Sequence, residues 1–155
     1  MDYLIRALTN KDEQILWEML YQALQKSEAP TPRQTVRQPE YARYVKGWGR
    51  KGDTGFVAND TKRKDEILGA VWLRFPVADM KKSKERTPEL ALVVKAGSRK
   101  RGIGAALLTQ LVKAHPHNTI SIRAAADNPA VRLYERFGYK IVEKRPDAVS
   151  MQRKA

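Results

Sequence analysis

No cysteine occurs among the 155 residues, which removes disulfides, a thiol nucleophile and thiolate metal ligands together. Histidine is nearly as scarce. His115 and His117 flank Pro116, a helix-end placement rather than the spacing of an imidazole metal site, and no metal is expected. Acidic side chains are outnumbered, 17 Asp plus Glu against 30 Lys plus Arg, for a net +13. Such a field draws nucleic acid and phosphate-rich small molecules alike, so charge alone does not separate them. No apolar run approaches the roughly 18 residues of a membrane span, and Met1-Asp2 opens without the basic flank and apolar stretch of a secretion signal. The expectation is a soluble, cytoplasmic protein with no membrane partner. With 42% hydrophobic residues at this length, residues 1–155 suit one domain with a single core.

The organising stretch runs from Glu89 to Ala114. Leu90, Ala91, Leu92, Val93 and Val94 form a near-continuous apolar run, the pattern of a strand buried on both faces. A basic turn containing glycine follows. Ile103, Leu107, Leu108, Leu111 and Val112 then recur at helical spacing on one face. Gly102 and Gly104 fall where that helix begins, so free backbone N–H groups and the positive end of the dipole point outward, toward an anion such as a pyrophosphate. Two familiar phosphate loops do not fit. The G-x-x-x-x-G-K-[ST] loop finds its glycines in Gly97 and Gly102, but Ile103 and Gly104 stand where Lys and Ser/Thr are needed. The dinucleotide fingerprint wants Gly or Ala where Leu107 stands. A ligand-free basic turn at a helix start stays open on these residues alone.

The flanking chain reads as alternating elements. Tyr3 to Leu8 is a short strand, and Thr9 or Asn10 is the expected N-cap of a helix whose face is Ile15, Leu16, Met19, Leu20, Ala23 and Leu24. Pro30, Pro32 and Pro39 mark a loop from Ser27 to Pro39. Glu40 to Trp48 is expected as a second short helix, grouping Tyr41, Tyr44, Val45 and Trp48 over an acceptor pocket or a plain lid. Thr54 to Ala58 and Ile67 to Phe75 suggest a β-hairpin with a charged connection. Thr119 to Ala124 is a further strand. Asn128 caps a last helix with Pro129 at its first position and Gly138 at its end, carrying the stripe Ala130, Leu133, Tyr134, Phe137. Tyr139 to Val142 and Ala148 to Gln152 pair as terminal strands. This order implies a mixed sheet with helices on both faces.

Two segments carry a family resemblance. Arg99-Lys100-Arg101-Gly102-Ile103-Gly104 resembles the Q/R-x-x-G-x-G/A signature of the GNAT acetyltransferase superfamily. Asn128 through Tyr139 resembles its N-x-A-x-x-x-Y-x-x-x-G-F/Y pattern, in the family's order. The resemblance implies the GNAT fold, α/β (mixed α+β) in class: a central, mixed, mostly antiparallel twisted sheet of about seven strands flanked by about four helices. It also implies that two central strands splay apart around acetyl-CoA. Pantetheine would then pair with backbone near Leu92, Val93 and Val94, and the pyrophosphate with amides of Arg99, Lys100, Arg101, Gly102, Ile103, Gly104 and Ala105. Asn128 and Tyr134 would meet the cofactor arm. Lys100 stands where many relatives have Gly, so its side chain has to point outward, and Ala96 stands where Pro is common.

An amine attacking a thioester has to be neutral, and it needs a polarised carbonyl and a protonated leaving group. Tyr134, with an ordinary pKa near 10, is protonated at neutral pH and is the candidate proton donor, with a purely structural core role as the alternative. The Val94 N–H is the candidate for polarising the carbonyl, as the family's bulged strand does. Glu89, at the start of the central strand, is the candidate base or substrate contact; otherwise it faces solvent or Arg74. The function so implied is N-acetyltransfer from acetyl-CoA to a primary amine by direct attack in a ternary complex. The acceptor would be a small-molecule or peptide amine, with no nucleic-acid partner, and the protein a monomer or homodimer. The alternative is a non-catalytic module on the same fold, sensing acyl-CoA or binding nucleic acid through Lys62-Arg63-Lys64, Lys81-Lys82 and Arg99-Lys100-Arg101.

Overall fold

A computed structural model describes residues 3–24, 32–63, 66–75, 87–98, 102–115, 119–126, 128 and 130–153. In chain order the elements are β1 (Tyr3–Ala7), α1 (Glu13–Leu24), a 3₁₀ turn (Arg33–Arg37), α2 (Pro39–Ala42), β2 (Thr54–Asp60), β3 (Ile67–Arg74) and β4 (Glu89–Val94). A second 3₁₀ turn (Ala96–Ser98), α3 (Ile103–Ala114), β5 (Ile120–Ala125), α4 (Ala130–Arg136), β6 (Lys140–Lys144) and β7 (Ala148–Arg153) complete them. The strands form one seven-stranded sheet in the order β1-β2-β3-β4-β5-β7-β6. Every pairing is antiparallel except β4 with β5. The expected mixed, mostly antiparallel sheet is therefore observed, with β7 returning between β5 and β6.

Alternation along the strands sends side chains to two apolar layers. On one face Leu107, Leu108 and Leu111 of α3 and Tyr134 of α4 pack with Val71, Leu90, Ile122 and Met151. On the other, Leu16, Met19 and Leu20 of α1 pack with Val57, Trp72 and Val93. At about 25 cal/mol per Å² of apolar surface removed from water, the two layers supply the main force for folding.

Two local expectations shift. α1 begins at Glu13, so Asp12 rather than Thr9 or Asn10 stands at its N-cap, with the Asp12 carbonyl taking the first helical amide, that of Leu16. The buried face of α1 includes Trp17, whose indole N–H reaches Glu13 at 3.0 Å, while Ala23 is exposed. The second helix is also shorter than the span to Trp48. After Ala42 the chain tightens, the Tyr44 and Val45 amides bonding three residues back to the Tyr41 and Ala42 carbonyls, and β3 side chains hold the carbonyls that follow. Arg74 donates to the Arg43 and Lys46 carbonyls at 3.3 and 2.7 Å, and the Trp72 indole to the Tyr44 carbonyl at 3.0 Å. Gly47 then turns the chain at φ 72°. Val45 and Trp48 are nonetheless buried together, with Tyr41 and Tyr44 packed against them.

A candidate active site at the parted strands

Strands β4 and β5 stay in register at only two positions, Glu89 with Ser121 and Leu90 with Ile122, whereas β3 and β4 pair from Glu89 to Val94 without a shift. Beyond Leu90 the two parallel strands part. The bond from the Lys95 N–H to the Leu68 carbonyl, 2.8 Å, sets which β4 residues face β3. Counting back by twos, Val93 and Ala91 turn their backbone groups to β3, and Leu92 and Val94 turn theirs toward the opening. Of the three residues expected to meet a cofactor here, Leu92 and Val94 therefore border the gap, and Val93 does so only through its neighbours. The β3–β4 ladder carries no bulge at Val94, so the carbonyl-polarising geometry expected of a bulged strand is replaced by plain strand alternation.

The start of α3 closes the wide end of the opening. Gly102 occupies the N-cap in the left-handed region, φ 77° and ψ 8°, with no side-chain cap, and its carbonyl accepts the first helical bond from Ala106 at 3.0 Å. A side chain there would strain the backbone. Among the described residues, the amides of Ile103, Gly104 and Ala105 have no acceptor, as expected of a first helical turn. A Cβ on Gly104 would stand 3.2 Å from Leu133 and 3.6 Å from Val94, so glycine lets α3, α4 and β4 approach one another. Arg99, Lys100 and Arg101 lie outside the described residues. Asn128 uses its side-chain carbonyl to accept the Ala130 N–H at 2.9 Å, capping α4 as expected.

Tyr134 and Glu89 are not neighbours on one surface. Tyr134 is 3% exposed in the α3/α4 layer, edge-on to Tyr139 with ring centres 6.0 Å apart. Burial, then the nearby Tyr139, pushes its hydroxyl well above the ordinary tyrosine range, so it holds its proton. Glu89 alternates with Leu90 and points to the opposite face. The gap between β4 and β5 is the route by which one bound molecule could meet both.

Glu89 pairs with neither solvent alone nor Arg74. Its Oε2 lies 3.3 Å from Nη2 of Arg43, the side chains 16% and 35% exposed. That contact lacks hydrogen-bond geometry, and Oε2 is left buried with no hydrogen-bond partner among the described residues. Arg43 also donates to the Tyr44 hydroxyl at 2.7 Å and stacks 4.2 Å over its ring. Burial raises the Tyr44 hydroxyl far above its ordinary pKa, and the Glu89 charge raises it further. Arg74 is instead bound in two-pronged fashion to Asp53, at 3.1 and 3.0 Å, deep beneath the Arg43–Lys46 turn. Arg43 is a site residue that sequence reasoning missed, while Tyr44 is among those expected over an acceptor pocket; both reach Glu89 through a turn fixed by β3.

The opening thus has backbone groups of Leu92 and Val94 along one wall, helix amides without acceptors among the described residues at the start of α3, and glycine where bulk would intrude. A family model described as the acetyltransferase (GNAT) family matches residues 17–139. The chain belongs to the GNAT family. It is an acyltransferase by that membership, and its sheet and helices are those the family resemblance implied.

Solved structures share the GNAT fold along their whole lengths. PH1933 from Pyrococcus horikoshii aligns at 22% identity, covering 99% of this chain and 98% of that one, with a TM-score of 0.71. NAA60 from Arabidopsis thaliana, solved with acetyl-CoA, aligns at 19% identity over 97% of both chains, TM-score 0.67. The PaiA N-acetyltransferase from Thermoplasma acidophilum, solved with coenzyme A, aligns at 17% identity over 100% of both, TM-score 0.67. No curated protein sequence matches the chain significantly. Among the described residues there is no group of side chains that could hold a metal ion and no helix long and apolar enough to cross a membrane.

Proposed function

We propose that this GNAT protein transfers the acetyl group of acetyl-CoA to a primary amine by direct attack within a ternary complex. The observation that carries the reading is the two-rung contact between β4 and β5, which leaves strand backbone facing an opening that ends at an uncapped helix. When bound, acetyl-CoA supplies an activated acyl carbon and a thiolate leaving group. The backbone of Leu92 and Val94 holds the pantetheine arm as an added strand would be held. The amides of Gly102, Ile103, Gly104 and Ala105 receive the diphosphate, with Arg99, Lys100 and Arg101 contributing charge.

The acceptor arrives from the opposite face, where Glu89 Oε2 has no hydrogen-bond partner among the described residues. Glu89 receives the ammonium and, through an ordered water, its proton, so that the nitrogen lone pair is freed for attack. Nitrogen bonds to the acyl carbon, the carbon–sulfur bond breaks, and the sulfur takes the proton of Tyr134. The second proton, which the nitrogen sheds on becoming an amide, passes through water to the phenolate and restores the Tyr134 hydroxyl. No covalent enzyme intermediate is required.

The test is release of free coenzyme A thiol across a panel of primary amines, with Tyr134→Phe and Glu89→Gln as comparators. Tyr134→Phe is expected to lower kcat by about 10²- to 10⁴-fold, the range of general acid catalysis, with acetyl-CoA affinity nearly intact. Unchanged turnover in Tyr134→Phe removes the acid role.

A further inference from the structure

A second constellation lies one strand away on the face that carries Glu89. Glu89 and Ser121 are register partners, so their side chains share that face, and Arg123, two residues along β5, shares it too. Ile120, Ile122 and Ala124 alternate with them into the opposite core layer. Arg123 pairs in register with Ser150 of β7, and Ser150 with Glu143 of β6. These three side chains wall a cavity of about 250 Å³, completed by Arg145, Asp147 and Ala148.

The charges in that cavity are not equivalent. Arg145 Nε lies 2.6 Å from Glu143 Oε1, which closes one ion pair. Arg123 has no hydrogen bond or ion pair among the described residues. Its charge is felt at the Tyr44 hydroxyl, the group that Arg43 holds beside Glu89. A guanidinium without a partner among the described residues thus lines a cavity on the acceptor side of the sheet, within electrostatic reach of Glu89's partners. Its planar fork of donors matches a carboxylate in two-pronged geometry.

We infer that the acceptor is a small amine that also carries a carboxylate, with the carboxylate held by Arg123 in this cavity and the amine directed toward Glu89 where β4 and β5 part. This rests on the acetyl-transfer reading above and names the substrate class of that site. The volume lies below the roughly 300–1,000 Å³ of pockets for drug-sized ligands, which suits an amino-acid-sized molecule and not an aminoglycoside. Asp147 sets a second limit: it also lines the cavity, and its negative charge opposes a second carboxylate, so monocarboxylic amines are preferred over dicarboxylic ones.

The experiment compares amino acids with the corresponding amino amides, using thiol-release kinetics together with calorimetric titration of acetyl-CoA. Wild type is expected to show kcat/KM at least about tenfold higher for amino acids, a factor worth about 1.4 kcal/mol. Arg123→Gln erases that preference by raising KM for the acids, with KM for the amides and the acetyl-CoA Kd unchanged. Arg123→Lys retains part of it, and Lys113→Gln, which removes an equal charge outside the cavity, retains all of it. Thermal melting of each variant confirms folding. If acetyl-CoA binds but amides or polyamines serve as well as amino acids, or if the preference survives Arg123→Gln, the acceptor assignment is overturned while acetyl transfer stands. If acetyl-CoA does not bind, both fall.

Discussion

Trp72 donates its indole N–H to the backbone carbonyl of Tyr44 across 3.0 Å. The middle of β3 thereby fixes the turn that carries Arg43 and Tyr44 to Glu89. Trp72→Phe keeps most of the apolar burial but leaves the Tyr44 carbonyl without its donor. The expected cost is about 1–2 kcal/mol, seen as a melting temperature lower by about 2–8 °C. Amine KM should rise while acetyl-CoA affinity holds.

The pair beneath the same turn is more demanding. Arg74 and Asp53 are 4% and 2% exposed, and Asp53 also accepts the Gly49 and Arg50 amides at 3.0 and 2.9 Å. Removing one partner of such a pair strands a buried charge, which costs about 3–5 kcal/mol. Asp53→Ala should therefore show a large loss of stability in urea unfolding, and the double variant Asp53→Ala with Arg74→Met should recover part of it.

Tyr134 makes a prediction about pH. A proton donor works only below its own pKa, and burial moves that value upward from the ordinary 10.0. Loss of the tyrosine proton therefore cannot produce a basic limb in kcat below pH 10. A kcat profile that is flat or rising between pH 8 and about 10 is the expected result, and a limb falling there that disappears in Tyr134→Phe contradicts it.

Acid stability points to Asp12. Its carboxyl is held below the ordinary value of 3.8, chiefly by the hydrogen bond from Arg6 and also by the Thr9 amide, against an opposing effect of burial. A lowered folded pKa contributes stability that is present above the unfolded value and lost as pH falls through the folded one. Asp12→Asn should flatten the decline in melting temperature below about pH 4 and lower stability at pH 7.

Much of this arrangement is legible in the chain. The apolar run at Leu90–Val94, the periodicity of α3, and the Asn128 to Gly138 frame each follow from local patterns, and each forms where expected. Tyr134 and Glu89 fall on opposite sides of the gap, which no local pattern reveals, because it depends on which neighbour β5 pairs with. The turn after α2 is held by Trp72 and Arg74, a contact across 28 residues from Lys46 to Arg74 that lies beyond any local pattern. Arg43 and Tyr44 are adjacent, and Arg123 comes from a second, distant segment of a strongly basic sequence. Nothing local distinguishes the two arginines from the other 28 cations; only the sheet brings them to one face with Tyr44.

In the proposed function the opening between β4 and β5 receives the coenzyme. A crystal structure of the protein with acetyl-CoA tests this most directly. Pantetheine amides are expected about 2.9 Å from backbone groups of Leu92 and Val94, with the diphosphate on the amides of Ile103, Gly104 and Ala105. Coenzyme bound elsewhere, with those amides facing only solvent or the protein's own side chains, would contradict it.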